Sequence, residues 1–114
     1  MSKARQLGQV KPSNTNATLL FSPTDNKPYR ITAISVVNNG GGAVATEIYH
    51  DVDGTTWDST TVIAKQSTAT DLSEVLLQDL GVSGRYAAGS IAVKSSTANR
   101  ATFTIYGIIE GETL

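Results

Sequence analysis

The chain has no cysteine. That excludes a disulfide framework, a thiolate zinc site and a cysteine nucleophile, and it leaves the redox compartment open. Charge is scarce as well. Asp, Glu, Lys and Arg make up 17% of the 114 residues and the net charge is −1, where about a quarter charged is usual. So small a net charge offers no general attraction to nucleic acid or to an anionic membrane. Aromatic residues amount to only 6%. No run approaches the roughly 20 apolar residues that a membrane-spanning helix requires. The basic start, MSKARQLGQVKPSN, has no apolar stretch behind it and does not read as a secretory signal.

What is present is aliphatic residues, Thr, Ser and Asn, with 10 Gly. Thr, Val, Ile and Tyr suit pleated, half-buried surfaces, and Gly and Asn suit turns. The length allows one domain with one modest core. Short apolar runs follow one another: ATLLFS at 17–22, YRITAISVVNN at 29–39, AVATEIYHDV at 43–52, TTVIAKQ at 60–66, GSIAVKSS at 89–96 and ATFTIYGII at 101–109. Period-two alternation between turn signals predicts an all-β antiparallel sandwich, jelly-roll or immunoglobulin-like, over residues 17–114. Leu20, Ile31, Ala33, Val36, Ile48, Val93, Phe103 and Ile105 are its expected core. DLSEVLLQDLG at 71–81 fits a short helix capped by Asp71 or a strand; the surrounding pattern favours the strand. Asp53-Gly54 predicts a tight turn, and Thr97-Ala98-Asn99 a hairpin connection.

Residues 1–16 carry Lys3, Arg5 and Lys11, no acid and few apolar side chains. They are read as an extended N-terminal arm, too apolar-poor to order itself, while acids outnumber bases from Asp25 onward. An arm of this kind can dock on a neighbouring copy or a partner through Lys3, Arg5, Leu7, Val10 and Lys11. A frayed, solvated terminus accounts for the same letters.

Four groupings invite chemistry. Gly40, Gly42 and Ala45 spell the G-x-G-x-x-A of a dinucleotide-binding turn. Such a turn must open a helix whose N-terminus holds the pyrophosphate, and the β-branched AVATEIYH that follows predicts a strand. Asn38–Gly42 therefore reads as a hairpin loop between antiparallel strands. Asp51, Asp53 and Asp58 around Gly54 outline a weak cation site, but a calcium loop would need further oxygen ligands and a closing Glu. Turn-forming Asp residues explain the same letters. His50, the one histidine, has Ser35, Ser59 and Asp51 as nominal partners, without a nucleophile-elbow motif. Tyr49 and Trp57 could form a sugar-stacking platform, or Trp57 could close the open end of a core. No catalytic residue, cofactor or committed metal site emerges, and the chain reads as a non-enzyme.

The order of these parts resembles a group of small β-sandwich proteins of tailed-phage virions. The likeness is carried by the lead-in KPSNTNATLLFSP, the strand pattern YRITAISVVNNGGGAVATEIYHD, and above all AAGSIAVKSSTANRATFTIYGIIE, and it covers most of residues 12–110. The chain departs from the pattern at 66–85. Such domains serve as capsid decoration (cement) proteins and as parts of tails and fibres. The resemblance implies a decoration subunit on the outer head surface of the virion, bound to the major capsid protein and to itself, as a homotrimer, without nucleic acid, membrane or cofactor. The alternative it leaves is a tail-tip or fibre-associated module contacting host glycan through Tyr49 and Trp57.

Overall fold

The computed structural model describes residues 4–22, 28–40, 42–51, 56–68, 73–77, 80–83 and 89–109. Among them every regular element is a β-strand: β1 (Arg5–Val10), β2 (Thr18–Phe21), β3 (Pro28–Asn38), β4 (Val44–Asp51), β5 (Val62–Thr68), β6 (Ser73–Leu77), β7 (Leu80–Ser83), β8 (Ser90–Ser95) and β9 (Ala101–Ile109). The strands form two antiparallel sheets. Sheet A runs β1-β9-β3-β6, with β7 also on β3, and sheet B runs β2-β8-β4-β5. β6 and β7 lie along one edge of β3, opposite Ile34–Val37 and Pro28–Ile31 in turn, so together they fill a single strand position. Four positions then face four in jelly-roll order. That order decides between the two sandwiches expected from sequence, because an immunoglobulin sandwich has a different order, with seven or nine strands.

Alternation builds the core. Ile31, Ile34, Val36, Phe103 and Ile105 come from sheet A, and Leu20, Val44, Ile48, Ile91 and Val93 from sheet B; all are buried. Ala33 is the one expected core residue that falls outside it, being partly exposed. The reason is a bulge: Ile31 pairs with Gly107 but Ala33 with Tyr106, so Thr32 is the extra residue. An extra residue reverses the facing of everything beyond it, and Ile34 takes the inward place.

Three further expectations need correction. Among the described residues the expected arm is not set apart from the body, because Arg5–Val10 form edge strand β1 on β9, with Val10 opposite Phe103. Leu7 and Val10 pack against the core, and the Gln9 amide donates to Thr104 Oγ1 at 2.9 Å. Two apolar side chains suffice here because β9 supplies the backbone partners. Arg5 and Lys11 are exposed, and Lys3 lies outside the described residues. The glycine run is not a hairpin, since β3 and β4 belong to different sheets, and the same holds for Thr97–Asn99 between β8 and β9. Both are corners that take the backbone across the sandwich. The turn expected at Asp53-Gly54 lies outside the described residues, although the β4–β5 pair that it joins is antiparallel and hydrogen-bonded.

At one end of the sandwich the corners are tied together. The Asn39 N–H donates to the Arg100 carbonyl at 3.0 Å, and the Asn99 N–H to the Pro12 carbonyl at 2.8 Å. The Arg100 guanidinium donates to the carbonyls of Gly40 and Gly42. Asn99 takes φ 56°, a left-handed value that Asn tolerates better than most residues.

Candidate functional site

β4 sends Val44, Thr46 and Ile48 into the core and leaves Ala45, Glu47 and Tyr49 on the outer face of sheet B. Glu47 stands opposite Lys65 of β5 and Lys94 of β8. Its carboxylate is 3.6 Å from Lys65 Nζ and 4.0 Å from Lys94 Nζ. Across an exposed sheet such a row contributes little to stability, about 0–1 kcal/mol per pair. It does place two ammonium groups and one carboxylate on a single face. Beside it lies a shallow depression of about 460 Å³ lined by Ala45, Thr46, Glu47, Lys65, Gln66 and Ser67.

The next row is apolar and crosses all four strands. Leu19 of β2 pairs with Ala92 of β8, Ala92 with Tyr49, and Tyr49 with Val62 of β5. A bulge at Ile63 follows, since Ile48 pairs with Ala64 while Tyr49 pairs with Val62. The middle of the row is covered, with Ala92 at 0% and Tyr49 at 5% exposure, but its ends are open: Leu19 is 50% and Ile63 42% exposed.

The structure brings Tyr49 and Trp57 together, with ring centroids 6.4 Å apart and planes tilted by 58°. Burial, then the Glu47 charge and hydrogen bond, then Asp58, push the Tyr49 phenol above its ordinary value. So deep a ring offers almost no face to a sugar, and Trp57, partly exposed, is the aromatic that remains accessible.

The other candidates disperse. Asp51 is buried and its carboxylate accepts the Thr56 N–H at 2.7 Å. Asp58 accepts both the N–H and the hydroxyl of Thr60, bonds that hold its carboxyl below the ordinary value. These are turn-forming bonds. Asp53 lies outside the described residues, and among those described no three His, Cys, Asp or Glu side chains gather as a metal site. His50 Nε2 is buried with no hydrogen-bond partner, so neither Ser35 nor Ser59 forms a dyad with it. Burial lowers the His50 pKa, against an opposing pull from Asp51. Gly40 and Gly42 adopt φ 103° and 119° and lead into β4, not a helix. Their carbonyls are turned to Arg100, the reverse of a phosphate cradle, which presents N–H groups.

Sequence reasoning missed the Lys65–Glu47–Lys94 row and the role of Arg100. Both depend on pairing between strands far apart in the sequence. No protein-family model matches this chain, and no curated protein matches it either.

Proposed function

We propose that the chain is a structural virion protein, a capsid decoration subunit that binds the outside of a phage head as a trimer and stabilises the shell. The observation that carries this reading is the apolar row from Leu19 to Ile63, open at both ends, on a broad and otherwise polar sheet face. A face of this kind suits burial against another protein surface better than chemistry on a small molecule. The jelly-roll is at home in viral capsid domains, but also in lectins and cupins, so the fold by itself does not select a function. The phage-like sequence pattern supports the virion reading. A standard interface takes roughly 800 Å² from each partner, and the total surface is 5913 Å².

The second reading, a tail or fibre module that contacts glycan, is supported by the accessible part of the Trp57 ring. Counting copies of this protein in purified particles separates the two. Hundreds of copies per particle are expected for a shell protein, and a handful would overturn the decoration reading in favour of the tail. The Leu19→Glu/Ile63→Glu double variant, folded as judged by its circular dichroism, is expected to lose occupancy on particles.

A further inference from the structure

We infer that Asn39 is a site of spontaneous deamidation in the folded protein, and that the reaction places a carboxylate beside Arg100 at the tied end of the sandwich. The reaction closes a five-membered ring. The Gly40 peptide nitrogen gives up its proton to solvent base and attacks Cγ of Asn39. A bond forms between that nitrogen and Cγ, the bond from Cγ to Nδ2 breaks, and ammonia leaves. Water then opens the resulting succinimide at either carbonyl, giving aspartate or isoaspartate. The only co-reactant is water. The attacking nitrogen must be free to swing, its residue must present no β-carbon to the ring, and the Asn amide must be unengaged.

Asn39 meets the second and third conditions, and no hydrogen bond holds the attacking N–H itself, while the flanking Asn39 N–H and Gly40 carbonyl are tied to Arg100. It is the only Asn in the sequence followed by Gly, and it is exposed. Among the described residues neither its side-group amide nor the Gly40 N–H takes part in a hydrogen bond. The other described asparagines fail at least one condition. Asn38 is buried, is followed by Asn39, and donates its amide to the Gly42 carbonyl at 2.9 Å. Asn14 accepts the Asn16 N–H on its Oδ1 and precedes the β-branched Thr15. Asn16 and Asn99 precede Ala17 and Arg100, both of which carry a β-carbon.

The product has a structural consequence. The Asn39 N–H is bonded to the Arg100 carbonyl at 3.0 Å, while the Arg100 guanidinium holds the Gly40 and Gly42 carbonyls. A carboxylate is a stronger acceptor for a guanidinium than a peptide carbonyl, so aspartate at 39 competes for the group that ties the β3–β4 corner. Isoaspartate adds a methylene to the backbone between two fixed strand ends and shifts that tie out of register. Either product makes the protein one charge more negative.

The test is to incubate the full-length protein in warm, mildly alkaline buffer, folded in one arm and unfolded in urea in the other. The tryptic peptide Ile31–Lys65 is then sequenced by tandem mass spectrometry. Isomerisation at Asp53-Gly54, on the same peptide, leaves the mass unchanged and does not interfere. In the folded arm the expected result is the amide-to-acid mass gain at Asn39, with Asn38 intact, and slower loss of ammonia from every other Asn. Asn39→Gln, incubated in parallel, is expected to show no gain in that peptide. A gain at Asn38 or Asn99 that outpaces Asn39 would overturn the inference. So would a folded protein that keeps the Asn39 amide while the urea-unfolded protein loses it.

Discussion

The carbonyl oxygen of Leu20 lies 2.6 Å from where a β-carbon on Gly8 would sit. Gly8 belongs to β1 at the edge of sheet A and Leu20 to β2 at the edge of sheet B, so the open side of the sandwich closes here by backbone contact. A methyl group at position 8 must push the two strands apart, since a backbone carbonyl cannot rotate aside as a side chain does. Gly8→Ala is expected to cost about 1–3 kcal/mol, the range for overpacking a well-filled site. Urea unfolding checks it. A midpoint equal to that of the wild type would mean that β1 and β2 do not meet in this way.

Phe103 is the largest fully buried side chain among the described residues, on the central strand pair β3–β9 with Val36 opposite. Phe103→Ala removes the whole ring from a site held by strands on both sides, where little collapse is possible. The expected loss is about 3–5 kcal/mol, a large share of the roughly 5–15 kcal/mol that holds a typical domain together. A thermal midpoint within a degree or two of wild type, on the scale of about 4–8 °C per kcal/mol for a domain of this size, would contradict the placement.

His50 provides a pH dependence of known sign. Burial holds its folded pKa below the ordinary value of about 6.5, so the unfolded protein takes up the proton first. The stability that comes from the neutral ring is fully present above about pH 6.5 and is lost as pH falls towards the folded value. His50→Gln removes the titrating group. Urea midpoints of the two proteins, measured at steps downward from neutrality, are expected to converge or cross below about pH 6.5, with the wild type falling more steeply. Parallel curves would show that the ring titrates as freely when folded as when unfolded.

Alternation made β3, β4, β8 and β9 legible in the sequence, and with them most of the core. The bulge at Thr32 was not legible, because Ala33 and Ile34 are both apolar and only the pairing with β9 decides which one turns inward. The leucines at 72, 76 and 80 suit a helix as well as a strand, and pairing along the edge of β3 draws Ser73–Leu77 and Leu80–Ser83 into β6 and β7. Which strands share a sheet depends on the corners, and a Gly-rich corner and a Gly-rich hairpin have the same composition. Of the candidate site, the closeness of Tyr49 and Trp57 could be anticipated across a short loop. The Lys65–Glu47–Lys94 row could not, because Lys94 meets Glu47 only through the β4–β8 register.

β1 is the element that sequence reasoning overlooked, and it gives the last prediction. It contributes only Leu7 and Val10 to the core, but it also covers the outer edge of β9 from Phe103 to Gly107. Deleting residues 1–10 uncovers the backbone N–H and C=O groups on that edge and opens the side of the sandwich next to Leu20. Water can satisfy the freed groups, so the backbone loss is modest. The apolar loss is larger, since burying a Val or Leu side chain contributes roughly 1.5–3 kcal/mol. Two such side chains, each only partly buried, put the expected destabilisation at about 2–4 kcal/mol on that scale. An unpaired edge is also a template for pairing with other molecules, so the truncated protein is expected to self-associate at concentrations where the full-length protein does not. Urea unfolding and sedimentation, run together, test both halves. A truncated protein as stable as the full-length one, sedimenting as the same species, would mean that residues 5–10 hang free of β9, as an independent arm would.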